Sequence, residues 1–156
     1  MNDYSLDPGR KKVHAGIAAG LMGVLIMIPV HLVLLLIFQG QTRGDWIAHG
    51  IQLLVYFFAS QVAAQNHYNG QERSPEALRG VRGAGIGAAI TTSLLMWLFV
   101  VIRDIVLDAL GMTPFLEVVT TFCIVVVDVL LAIALGSWGG SIVEKKYKTF
   151  DGYTSE

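Results

Sequence analysis

The sequence predicts an all-α membrane protein, a four-transmembrane-helix bundle built as two helical hairpins. Three observations predict it. Of 156 residues, 54% are hydrophobic and only 15% charged, against about 25% charge in a soluble domain. The charges cluster and leave four apolar runs nearly bare, each close to or above the ~20 residues that a helix needs to cross a bilayer. Finally, the basic residues gather at alternate ends of those runs, as the positive-inside rule requires of an even number of spans.

The first span is residues 13–38. Arg10, Lys11 and Lys12 before it imitate a secretory leader, but the run outlasts a signal core of roughly 7–15 residues and has no small-residue cleavage site behind it. Pro29 lies inside the span and removes one backbone hydrogen bond, so a kink is expected there. The second span is 46–64, with Trp46 as interfacial anchor. The third is 83–107, its outer turn carrying Arg103 and Asp104. The fourth is 115–138, opened by Thr113-Pro114 and closed by Trp138-Gly139-Gly140. Continuous apolar runs of this length exclude the alternating, roughly ten-residue strands of a membrane barrel. The expected division is therefore a cytoplasmic segment 1–12, a membrane domain 13–143 and a cytoplasmic tail 144–156.

Nine of the 11 lysines and arginines fall on one side: Arg10, Lys11 and Lys12, then Arg73, Arg79 and Arg82, then Lys145, Lys146 and Lys148. Arg43 and Arg103 fall on the other. Both termini are thus expected in the cytoplasm of a plasma or inner membrane. Between spans two and three, Gln65 to Arg82 reads as a long cytoplasmic loop, with Ser74-Pro75-Glu76 starting a short interfacial helix. The tail, with Tyr147, Phe150 and Tyr153 among charges, reads as partly disordered and resting its basic part on anionic lipid.

Ala15-Gly16-Ile17-Ala18-Ala19-Gly20-Leu21 aligns with Ala84-Gly85-Ile86-Gly87-Ala88-Ala89-Ile90, and the match continues through Leu25/Leu94 and Met27/Met96. A duplicated hairpin would relate the halves by an axis along the membrane normal. Chance likeness between small-residue helices gives the same pattern without a duplication.

Small residues four apart on a helix let backbones approach closely. Span one has Gly16, Gly20 and Gly23. Span three has Gly83, Gly87 and Thr91, with Gly80, Ala84 and Ala88 alongside. Span four ends with Ala132, Gly136 and Gly140. The tight contacts are expected in the cytoplasmic half, chiefly within the monomer and otherwise against a second copy or partner subunit.

Asp128 lies near the centre of span four, where an acid costs roughly 2.5–3.5 kcal/mol on insertion scales. Burial disfavours its charged form, so it must face the bundle or a wet cavity. Ser60, Gln61, Thr92 and Ser93 lie at similar depth and are its expected hydrogen-bond partners. Nearer the outer face are His31 and Gln52, then His49, Arg103 and Glu117, with Thr120 and Thr121. Arg103 and Glu117 form the expected outer ion pair, with Asp104 and Asp108 as competitors. Asp128, Ser60, Gln61, Ser93, His31 and Gln52 are the candidates for an ion or proton path. The same residues serve equally as polar contacts that fix helix register.

His31 and His49 have the chemistry of haem ligands, but no attachment motif accompanies them. With Cys123, the single cysteine, they lack the spacing of any zinc site. His14 and His67 sit near the cytoplasmic surface. There is no His-Glu-x-x-His, no Gly-x-Ser-x-Gly and no phosphate-binding loop. Gly83-Ala84-Gly85-Ile86-Gly87 opens a membrane helix and follows no strand, unlike a dinucleotide loop. With no basic surface left outside the spans, nucleic acid is not an expected partner. The expectation is a non-catalytic membrane subunit or accessory protein without cofactor, whose partners are the bilayer and other membrane chains or a second copy. The rival reading is a small oligomeric transporter or channel with Asp128 on its path.

Overall fold

The computed structural model describes residues 8–38, 42–70, 75–111 and 118–150. They form four helices: α1 Pro8–Phe38, α2 Thr42–Asn69, α3 Pro75–Ala109 and α4 Val118–Phe150. Each holds a stretch long and apolar enough to cross a membrane. Their 28 to 35 residues amount to roughly 42–52 Å at ~1.5 Å per residue, well beyond a hydrocarbon core of about 30 Å. α1 continues through Pro29.

Two sequence expectations need correction at one end of the bundle. The stretch from Gln65 to Arg82 is not a long loop with its own short helix. α2 runs on to Asn69, and α3 starts at Pro75 and continues unbroken into the third apolar run. Ser74 lies outside the described residues. Pro75 fits the first helical position, where its missing N–H is no loss. The helices extend because their ends have something to pack on. Tyr68 is fully buried with Ala64, Ala77, Leu78, Val81 and Val143.

The second correction concerns the tail, which is helical to Phe150. The Tyr147 ring stacks on Tyr68 with centroids 4.1 Å apart, and its hydroxyl donates to Asn69 Oδ1 at 3.2 Å. Glu144 pairs with Arg82 at 3.6 Å and with Lys148 at 2.7 Å. Residues 151–156, with Tyr153, lie outside the described residues, as does Thr113-Pro114.

α2 and α3 form the centre of the bundle. They pack on each other and on both remaining helices, while α1 and α4 share no contact among the described residues. Gly16 lies against Ala84 and Gly23 against Thr92, so α1 and α3 run parallel; Gly136 lies against Ala89 and Gly140 against Arg82, so α3 and α4 run antiparallel. A two-fold axis exchanging the two hairpins would make α1 with α4 equivalent to α2 with α3. Among the described residues α1 and α4 share no contact whereas α2 and α3 do, so the packing lacks that equivalence.

That crossing is as close as backbones allow. A Cβ on Gly20 would fall 2.9 Å from the Ala88 carbonyl oxygen, and one on Gly136 would fall 2.9 Å from Ile86 Cα. Real Cβ atoms essentially never approach another atom so closely. Gly16, Gly23 and Gly140 sit on the same two seams. Gly87 makes only a 3.8 Å approach to Gly16, and Gly83 abuts the Lys12 side chain. The glycine at the heart of the α3–α4 seam is Gly85, which faces the Gly136 carbonyl. It belongs to neither stripe singled out in the sequence.

The radial order of residues is the reverse of a soluble protein's. Alanines fill the interior, among them Ala48, Ala63, Ala84, Ala88 and Ala132, all fully buried. Large apolar side chains point outward, with Leu25 67% and Leu36 78% exposed.

Gly136→Ala should lower stability by about 1–3 kcal/mol, the usual cost of overpacking, in thermal unfolding of the detergent-solubilised protein. Gly50→Ala, where an added Cβ meets nothing within 4 Å, should be neutral or stabilising by up to ~1 kcal/mol. Equal losses at both positions would contradict the seam described.

Candidate functional site

Among the described residues, seven polar side chains are buried in the bundle: His31, Gln52, Ser60, His67, Thr92, Ser93 and Asp128. Helical spacing explains how several of them meet. On α2, Gln52, Tyr56 and Ser60 follow one another four residues apart and so share a stripe. On α3, Ser93 and Trp97 do the same. Both stripes face Asp128, about a third of the way along α4.

Asp128 is the hub. Its Oδ2 accepts from Tyr56 Oη at 2.5 Å, Ser93 Oγ at 2.8 Å, Trp97 Nε1 at 2.9 Å and Gln52 Nε2 at 3.4 Å. None of the four uses Oδ1. Indole and amide N–H groups donate only, so Oδ2 is an acceptor in this arrangement. Donors from α2 and α3 thereby converge on one atom of α4. Gln52 extends the chain: its Nε2 also donates to the Tyr56 hydroxyl, and its Oε1 lies 3.5 Å from His31 Nε2. The polar connection thus reaches all four helices.

Of the partners expected for Asp128, the hub includes Ser93. Ser60 instead donates to the Phe57 carbonyl at 2.6 Å and lies against Gly139. Thr92 donates across to the Gly20 carbonyl at 3.1 Å and within its helix to Ala88 at 2.9 Å, tying α3 to α1 where glycine leaves the carbonyl open. Gln61 is half-buried and is not one of the four donors. Tyr56 and Trp97 were missed in the sequence reading. The signal for both was present: each sits one helical turn from a polar residue already singled out.

The histidines are closer than their sequence positions imply. The His31 and His49 rings lie 6.4 Å apart, edge to face, and Nδ1 of each is buried without a hydrogen-bond partner. His49 is framed by Trp46 and Trp97. Among the described residues, no three His, Cys, Asp or Glu side chains form a group that could hold a metal ion. His67 is buried against Gly80, and His14 is exposed.

Toward the far end of the bundle, Arg103 is held by Asp45 at 3.0 Å and Asp104 at 2.7 Å. Asp104 is one of the competitors expected from the sequence; Asp45, at the start of α2, is not. Glu117 lies outside the described residues, as do the side chains of Thr120 and Thr121.

No family model, curated protein or solved structure matches this chain.

Removing the acceptor should cost far more than changing its chemistry. Asp128→Ala leaves several buried donors without a partner, each orphan worth about 1–3 kcal/mol, and is expected to lower stability by roughly 3 kcal/mol in denaturant unfolding. Asp128→Asn can place its amide oxygen where Oδ2 stood, so a loss of only about 1 kcal/mol is expected. Equal losses in the two variants would remove the hub from the account.

Proposed function

We propose that this chain is a four-span integral membrane protein of a plasma or inner membrane, with both termini in the cytoplasm. We infer that it serves as a non-catalytic membrane component, acting by association with other membrane-embedded molecules. The membrane placement draws on the apolar outer surface and on the basic residues at one end of the bundle. Lys12, Arg82, Lys145, Lys146 and Lys148 gather there, and the sign of that bias marks the cytoplasmic side. The extra helix length at this end carries its own buried cluster around Tyr68, fitting a part that stands clear of the hydrocarbon.

The observation that carries the non-catalytic reading is how Asp128 is used. One of its oxygens accepts from four side chains of two neighbouring helices, beside seams where glycine brings backbones into contact. An acid engaged in this way fixes the register of three helices. A conducting acid needs water or a mobile partner on both sides. The rival transport reading has one specific observation in its favour, the chain from His31 through Gln52 and Tyr56 to Asp128.

The two readings separate in proteoliposomes. Purified protein should give no proton or monovalent-cation flux above protein-free vesicles, and gentle-detergent purification from native membranes should bring down another membrane chain or a second copy. Flux that is lost in Asp128→Asn would overturn the proposal in favour of transport.

A further inference from the structure

Between the outer halves of α2 and α4 lies an open cleft of about 430 Å³, within the roughly 300–1,000 Å³ range of small-molecule sites. Trp46, His49, Gly50 and Leu53 line one wall; Cys123, Val127 and Asp128 are on the other. Gly50 opens the wall, since a Cβ there would meet nothing within 4 Å. The glycine seams of α1 and α4 on α3 lie in the other half of the bundle.

We propose that the cleft is a binding site for an apolar molecule with a protonated amine head, seated against Asp128 and His49. The lining is almost wholly apolar, which takes the body of such a molecule. The polar groups at its wall define the head. Asp128 acts as an acceptor toward every partner described. His49 lines the same cleft, and its Nδ1 is buried with no hydrogen-bond partner. An ammonium group offers three donors and no acceptor. No lysine or arginine is among the lining residues. An anionic head would meet a carboxyl without a counter-charge. Delivery of such a ligand from lipid rests on the membrane placement proposed above.

The single cysteine reports on the site, because Cys123 is exposed and lines the cleft. The full chain is reconstituted in lipid nanodiscs, and the rate of Cys123 alkylation by a maleimide is followed with increasing decylamine or decanol. Decylamine should protect Cys123 saturably, at a concentration at least tenfold below that of decanol. Asp128→Asn should bring the amine to the level of the alcohol. Gly50→Leu adds bulk to the cleft at a helical position where a Cβ meets nothing within 4 Å, and should abolish protection by both. Equal protection by amine and alcohol in the unmodified chain, or protection that survives Gly50→Leu, overturns the proposal. Retention in membranes after alkaline carbonate washing, scored on the same preparations before reconstitution, separates failure of the site from failure of the membrane placement.

Discussion

A carboxyl group buried on an apolar helix imposes a condition on everything near it. Buried polar groups are costly unless hydrogen-bonded, and a carboxylate most of all. Asp128 meets the condition by drawing Tyr56, Ser93, Trp97 and Gln52 onto one oxygen. These donors sit on two helices, so meeting the condition also fixes how α2, α3 and α4 lie along one another. In the proposed lipid setting, apolar side chains gain little by leaving one apolar environment for another. Directional contacts of this kind then carry much of the specificity of packing.

The remaining packing complements the hub. On one side of it, Gly16, Gly20, Gly136 and Gly140 bring α1 and α4 onto α3 at backbone distance, and Thr92 adds a hydrogen bond to the exposed Gly20 carbonyl. On the other side lie the α2–α4 cleft and the two histidines with unpartnered Nδ1 atoms. Asp128 thus lies between the glycine seams and the cleft that it lines. The proposed ligand site lies beside the hub and not within the glycine seams.

Much of the architecture was legible from residue order alone. The four apolar runs, the alternation of basic ends and the burial of Asp128 all follow from single-residue properties. Helix ends were less legible. The continuation of α2 to Asn69 and of α4 to Phe150 depends on Tyr68 stacking on Tyr147, a contact between residues far apart in the chain. The hub was half legible. Ser93 followed from its depth, whereas Tyr56 and Trp97 were passed over because aromatic residues in apolar runs usually read as packing or interfacial anchors. The placement of Gly85 on the α3–α4 seam, and the absence of two-fold symmetry, depend on which face of α3 meets which neighbour. In a helix with small residues on most of its faces, spacing alone does not decide that.

The account depends most on lipid being the solvent of the outward side chains. Nitroxide labels at Leu25, Leu94, Leu130 and Lys146, each introduced as a single cysteine in a Cys123→Ser background and reconstituted in bilayers, test it directly by their collision rates with oxygen and with a water-soluble nickel chelate. The three leucine positions should be oxygen-rich and shielded from nickel, with Lys146 open to it. Nickel access at Leu25, Leu94 and Leu130 equal to that at Lys146 would contradict the account.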